Sequence, residues 1–408
     1  MKDSWTETAL GDIATLTIGK TPPRNVKKYW TDDLRYPFCT IADMDGKWIK
    51  PRREGVTDEA IQGSKARLVT KGSLMMSFKL TIGRVGFAAV DLFPNEAIVA
   101  IDADPSHASA EFLFLLLGHQ DITHGSGRAI KGATLNSKSL AAISVILPSL
   151  PEQQRIVDVI NAVDAYVTSL QQQAEAARIA RHALLHELLN AGGGDWTEAT
   201  LGHVMTLGKS GVWGADEPEP GLVQAYCLRG TDLAKLIEGK LPVAPKRWLK
   251  SSELNKARCT ENMILIETSG TCGRSVLLSK KILSNFNLPV VFSNFCRILQ
   301  INSKRLIEPY AELWLSHAYF TGLIPSYRRI TAMPNLDVRS LLNNELIHLP
   351  PVAEQQRVVG IVATVDEAIH AAERAVKEAV QLRTGLLAEL LSGDHEIPAA
   401  YDRLLGVA

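Results

Sequence analysis

Along two long stretches, Glu152 to Leu189 and Glu354 to Leu391, apolar residues recur at steps that alternate four and three. In the first they are Ile156, Ile160, Val163, Val167, Leu170, Ala174, Ala177, Leu184 and Leu188. In the second they are Val358, Val362, Val365, Ile369, Ala372, Val376, Ala379, Leu386 and Leu390. Each stripe is interrupted at the same step by an arginine, Arg181 or Arg383. A pattern sustained over more than four heptads predicts a pair of long helices packed as a coiled coil rather than core helices of a globule. Prolines precede each stretch, Glu152 and Glu354 suit the positive end of a helix dipole, and Gly192 and Gly393 stand just past the ends. Roughly 38 residues at 1.5 Å each make a rod of about 57 Å. Two readings of the arginines are open. Their stems lie along the stripe with the heads in water, or each pairs with an acid on the other helix and fixes the register.

The two stretches are copies. Leu147-Pro148-Ser149-Leu150-Pro151-Glu152-Gln153-Gln154-Arg155 returns as Leu349-Pro350-Pro351-Val352-Ala353-Glu354-Gln355-Gln356-Arg357, at an offset of 202 that holds through to Glu187-Leu188-Leu189 and Glu389-Leu390-Leu391. Earlier segments repeat too. Trp5-Thr6-Glu7 returns as Trp196-Thr197-Glu198 at an offset of 191, and Thr81-Ile82-Gly83-Arg84 as Thr271-Cys272-Gly273-Arg274 at 190. The chain therefore reads as one design written twice. Its parts are a first globular domain (1–150), a long helix with a Gly192-Gly193-Gly194 linker (151–194), a second globular domain (195–350), a second long helix (351–392) and a tail without clear period (393–408). Short apolar runs such as Ser73 to Phe78 and Met263 to Ile266, separated by turn residues, predict strands, while Ala110 to Leu117 and Tyr310 to Tyr319 predict helices. The fold class expected is mixed α/β: two similar domains, each with a mostly β core, and two long helices packed antiparallel in a pseudo-two-fold repeat.

Formal net charge is zero over 408 residues, which alone argues against a nucleic-acid partner. Division of the chain changes the picture. The globular segments carry +2 and +4, the helical segments −2 and −4, so a phosphate-binding surface belongs to the former and the helices are left to bind protein. Five cysteines without a C-x-x-C pair argue against disulfides and zinc. No 18-residue apolar run and no signal-peptide pattern occur, so a cytoplasmic, soluble protein is expected.

Catalytic signatures fail on inspection. Gly19-Lys20-Thr21 and Gly208-Lys209-Ser210, at matching places, look like the end of a phosphate-binding loop, but that motif needs a glycine where Ala14 and His203 stand, and Pro22-Pro23 follows Thr21. They read instead as turns whose lysines can meet a DNA phosphate. Asp232 with Glu238-Gly239-Lys240 is a faint nuclease-like spacing best taken as a solvated turn. No metal-binding histidine pair, methyltransferase motif or nucleophile elbow is present.

What remains is recognition chemistry. Basic residues interleaved with aromatics and turns supply Lys20, Arg24, Lys27, Lys28, Lys47, Arg52, Arg128 and Lys131 in the first half, and Lys209, Arg247, Tyr327, Arg328 and Arg329 in the second. Such side chains neutralise phosphates or read base edges, and clusters in both copies of a repeat point to DNA.

Two variable globular domains, each followed by an L-P-x-x-x-E-Q-Q-R helix ending in L-L-x-E-L-L, resemble the specificity subunit of a type I restriction–modification system. The matching residues are Leu147-Pro148, Glu152 to Arg155 and Leu184 to Leu189, then Leu349-Pro350, Glu354 to Arg357 and Leu386 to Leu391. The resemblance implies a non-catalytic subunit in which each globular domain is a target-recognition domain reading half of a bipartite sequence in double-stranded DNA. It implies that the helices act as a spacer and dock two modification subunits, which carry S-adenosylmethionine and methylate adenine at N6. A restriction subunit using ATP and Mg would translocate and cleave. The alternative is a two-domain coiled-coil adaptor with non-DNA ligands, against which the charge separation leans.

Overall fold

The computed structural model describes residues 5–121, 135–302, 304–330, 332–395 and 397–401. It divides into two compact units that do not follow the linear boundaries: Met1–Gln171 with Arg374–Ala408, and Gln172–Glu373. Each unit holds one globular domain and parts of both long helices.

In the first unit, five strands lie in the order Ala14–Ile18, Ile98–Ala103, Leu74–Ser77, Val85–Ala88, Trp48–Ile49. Neighbours are antiparallel except the last pair. Leu74–Ser77 is central and buried at all four positions, which is why its sequence reads as an unbroken apolar run rather than an alternation. Helix Ala110–His119 covers one face, capped by Ser109, whose hydroxyl accepts from the Phe112 N–H. In the second unit the four-stranded sheet runs Met205–Ser210, Cys296–Ile301, Met263–Glu267, Ser275–Leu278, the same order as the first four strands of its counterpart. Helix Glu308–Phe320 takes the place of Ala110–His119. A further three-stranded sheet, Lys246–Leu249, Val223–Leu228 and Val290–Phe292, has its own core around Cys227, Leu228 and Phe292. Eight of the twelve residues by which the repeat offset grows from 190 to 202 can now be located. Leu278 to Cys296 is eight residues longer than its counterpart Ala88 to Ile98 and holds the extra helix Lys280–Leu283.

The repeated openings and closings of the domains pair with each other. Thr6–Ala9 lies antiparallel to Ser144–Leu147 and Thr197–Thr200 to Leu346–Leu349, in the same register: Thr6 opposite Leu147, Thr197 opposite Leu349. Each pairing delivers the chain directly into a long helix, Leu150–Asn190 or Val352–Ser392, of 41 residues each. The first helix starts a residue before the boundary read from sequence. Pro151 therefore sits inside its first turn, where a missing N–H costs nothing.

Within the first unit, Ile156, Val157 and Ile160 of the first long helix share a buried core with Leu387 and Leu390 of the second and with the strands above them. Within the second unit, Leu185 and Leu189 share one with Val358 and Val362. In the first unit Asp164 meets Arg383 while Ile156 and Ile160 lie with Leu387 and Leu390, and in the second Arg181 meets Asp366 while Leu185 and Leu189 lie with Val358 and Val362, so in each unit the two helices are antiparallel. The predicted seam needs one refinement. Leu185 and Leu189 are buried, while Leu184 and Leu188 are half-buried. A strict heptad marks only the helix-to-helix line, and these helices also pack against a domain, which widens the apolar face. The tail joins the first core through Ile397, 8% exposed.

Candidate nucleic-acid interface

The arginines that break the two stripes settle the choice between their readings. In the second unit Arg181 forks onto Asp366, with Nη2 to Oδ2 at 3.0 Å. In the first, Arg383 forks onto Asp164 with Nη2 to Oδ2 also at 3.0 Å. The four residues are equivalent under the 202 offset, so one buried-edge pair is written twice. Such a pair fits one register only, since a slip by one turn leaves both charges without partners on an apolar seam.

A second repeated device was not legible in the sequence. Gln153 and Gln355, 1% and 0% exposed, each hold three backbone groups. Gln153 Oε1 accepts from the Ser109 N–H at 3.0 Å, and its amide donates to the carbonyls of His107 at 2.9 Å and Pro148 at 3.0 Å. Gln355 Oε1 accepts from the Ile307 N–H at 3.0 Å and its amide donates to Arg305 at 2.6 Å and Pro350 at 2.9 Å. This amide ties the start of each long helix to the start of the domain's own helix. The duplicated E-Q-Q-R run was the only signal for it.

The described candidate DNA contacts fall into three groups. Lys20, Lys27, Lys28, Arg52, Lys209 and Arg328 are exposed. Others are partly engaged within the fold. Arg24 forks onto Glu54 at 2.6 and 2.8 Å and lies 3.6 Å from the Trp30 ring. Lys47 reaches Asn161 at 3.3 Å, Arg329 pairs with Asp337 and the Tyr327 hydroxyl donates to Glu345. Arg247 must be withdrawn. It is 5% exposed and spent on Asp216 and on the carbonyls of Trp213 at 3.0 Å and Gly214 at 2.9 Å, because it closes the loop over the Val223–Leu228 sheet. Arg128 and Lys131 lie outside the described residues.

The apparent equivalence of Gly19-Lys20 and Gly208-Lys209 is also corrected. Lys209 belongs to strand Met205–Ser210. The counterpart of Gly19 is Gly211: their N–H groups donate to Ile98 at 2.9 Å and Cys296 at 3.3 Å, both first residues of equivalent strands. A Cβ at Gly19 would stand 2.3 Å from the Pro94 carbonyl oxygen, and at Gly211 2.1 Å from that of Phe292, so close strand crossing, not phosphate binding, demands these glycines.

The repeated T-x-G-R segment forms the tip of the central hairpin in each domain. The arginine is kept but its partners differ. Arg274 forks onto buried Glu267 at 2.8 and 3.2 Å, whereas Arg84 lies 3.4 Å from the carbonyls of Ile41 and Met44. At the first tip Leu80 takes a left-handed φ of +62°, and the second domain has Gly270 there at +94°. For a leucine that conformation costs about 1 kcal/mol. In the second domain a further hairpin, Arg328–Arg329 with Asn335–Leu336, lies on the tip. The Gly270 N–H donates to Pro334 O at 3.0 Å, and the Leu336 N–H to Thr268 O at 2.8 Å.

The cysteines, Asp232 and Glu238 are each engaged within the fold. All five cysteines are buried, and burial pushes the thiols of Cys39, Cys227 and Cys296 up to about 12. Asp232 is buried against Arg229 at 2.8 Å, and Glu238 is paired with Lys240 at the surface. Among the described residues no group of three or more His, Cys, Asp or Glu could hold a metal ion, and no helix is long and apolar enough to cross a membrane.

The family model described as the type I restriction modification DNA specificity domain matches residues 2–179 and 237–381. The chain belongs to this family. Among curated members it is 25% identical over 177 residues to the type I restriction enzyme MjaIX specificity subunit of Methanocaldococcus jannaschii, covering 42% of this chain and 40% of that protein. It is 27% identical over 195 residues to the HindI specificity subunit of Haemophilus influenzae, covering 46% and 41%. The matched segment thus spans about two fifths of these relatives. Two solved structures share the fold along nearly the whole chain. One, described as "Structural basis underlying complex assembly and conformational transition of the type I R-M system", has TM-score 0.65 at 16% identity, covering 97% of this chain and 99% of its own. The other, the HsdS subunit from Thermoanaerobacter tengcongensis, has TM-score 0.51 at 18% identity, covering 97% and 98%. The fold class inferred from sequence, mixed α/β with two long helices packed together, is that of this family.

Proposed function

We propose that this chain is the DNA specificity subunit of a type I restriction–modification complex and performs no chemistry itself. Each globular domain reads one half of a bipartite duplex sequence. The long helices fix the unread gap between the halves and dock two modification subunits. S-adenosylmethionine belongs to those partners, and ATP and Mg to a restriction subunit. The observation that carries the reading is the duplicated architecture: the same strand order, the same glutamine clamp and the same Arg–Asp lock in both units. One reader written twice, with different residues at its loops, suits a target of two unlike halves.

The test is a mobility shift of duplex DNA by the full chain with its modification subunits. A sequence-dependent shift that weakens steeply with salt, and that is lost when Arg128 and Arg328 are changed to Ala together, supports the reading. Indifference to both sequence and salt would favour the adaptor.

A further inference from the structure

Two large aliphatic side chains are more than nine-tenths exposed among the described residues, and there is one in each unit: Leu80 at 93% and Ile330 at 92%. They stand at the same end of equivalent domains. Leu80 is at the tip of the hairpin joining Leu74–Ser77 to Val85–Ala88, in a left-handed conformation that its counterpart Gly270 adopts freely. Ile330 is carried by the hairpin that lies on the matching tip, held there also by Ser269 Oγ donating to Asn335 Oδ1 at 2.6 Å. The left-handed φ of Leu80 costs stability, and among the described residues its side chain buries almost no surface to offset that cost. Backbone strain of this kind clusters at sites that contact a ligand. Exposed Arg328 stands two residues from Ile330, and Lys79 is adjacent to Leu80, so each aliphatic tip has a cation beside it.

We infer that Leu80 and Ile330 are apolar base readers, each packing against the C5 methyl of a thymine in one half of the target. This rests on the DNA-recognition reading above. The major groove admits a two-stranded ribbon, and the thymine methyl is the apolar group that a base pair presents there. The neighbouring Lys79 and Arg328 then face phosphates.

The test uses the full chain with its modification subunits, on a target first found by mapping methylated adenines. Each thymine of the target is replaced singly by deoxyuridine, which removes only the methyl, and Kd is measured at fixed salt. One position in each half is expected to weaken binding about fourfold, the worth of one buried methyl at about 0.8 kcal/mol. Leu80→Ala should erase that sensitivity in one half only, and Ile330→Ala in the other. Leu80→Gly, which relieves the backbone, should give a protein at least as stable as the wild type that has still lost the discrimination. Unchanged deoxyuridine sensitivity in both alanine variants overturns the inference, as does equal weakening on every sequence, the mark of a wedge between bases or of plain packing. Those outcomes leave sequence-specific binding by the wild-type complex intact. Its absence would instead overturn the DNA-recognition reading, and this inference with it.

Discussion

Replacing Gln153 by Ala removes three hydrogen bonds from a site that is 1% exposed. Each is worth about 1 kcal/mol net, and the backbone groups of Ser109, His107 and Pro148 are left facing a small void, so the hydrogen-bond loss is about 3 kcal/mol. Lost packing of the buried side chain adds about 1 kcal/mol. For a unit of this size 1 kcal/mol is about 2–4 °C, so calorimetry of the full chain should show a transition lowered by about 8–16 °C. Gln355→Ala should do the same through Ile307, Arg305 and Pro350. Gln153→Glu separates hydrogen bonding from shape. A carboxylate can still accept from Ser109 but repels the two carbonyls, so its folded pKa lies above its unfolded one and stability falls as pH rises through that interval. The variant should be at least as destabilised as Gln153→Ala at pH 8 and recover toward pH 5, where a protonated oxygen donates one of the lost bonds. A drop under about 2 °C for both alanine variants would mean that water replaces the amide, and the clamp would lose its role in fixing where each long helix leaves its domain.

Three further outcomes follow from the same geometry. Arg181→Asp should destabilise the second unit by about 2 kcal/mol by placing like charges together, and adding Asp366→Arg should restore most of that in a thermal-unfolding double-mutant cycle, modest because the acid is 37% exposed. Burial raises the Glu312 carboxyl to about 7, Asp366 adding to the shift and Arg181 opposing it. The folded state therefore holds a proton that the unfolded state releases near 4.3, stability declines as pH rises between the two values, and the advantage of Glu312→Gln should grow by about 2.5 kcal/mol from pH 5 to pH 8 in urea titrations. Gly360 lies inside the second long helix with nothing within 4 Å of where a Cβ would sit, so Gly360→Ala should raise stability by about 1 kcal/mol in the same assay.

The long helices, though not their register, were legible because heptads and an ungapped repeat survive in the sequence, down to the paired interruption at Arg181 and Arg383. Asp164 and Asp366 as their partners were not, since an exposed-looking acid in a polar stretch carries no sign of what it faces. The glutamine clamp was invisible for a related reason. Its partners are backbone groups, and any sequence supplies those. Strands such as Leu74–Ser77 could be read from apolar runs, whereas the pairing of Thr6–Ala9 with Ser144–Leu147 depends on residues more than 130 apart that have no local pattern. Basic clusters misled at Arg247, because a guanidinium beside Trp213 can close a loop as readily as it meets a phosphate. The placement of Leu80 became visible only when its exposure and backbone angle were seen together.

The central claim is that two copies of one reader each recognise half of a target. Methylated adenines should be mapped by single-molecule sequencing in DNA from cells carrying this chain with its modification subunits, and again after the domain at 195–350 is replaced by that of another family member. The account predicts two short specified halves around an unspecified gap, with the exchange altering one half and leaving the other and the gap unchanged. A single continuous motif, or an exchange that changes both halves, would contradict it.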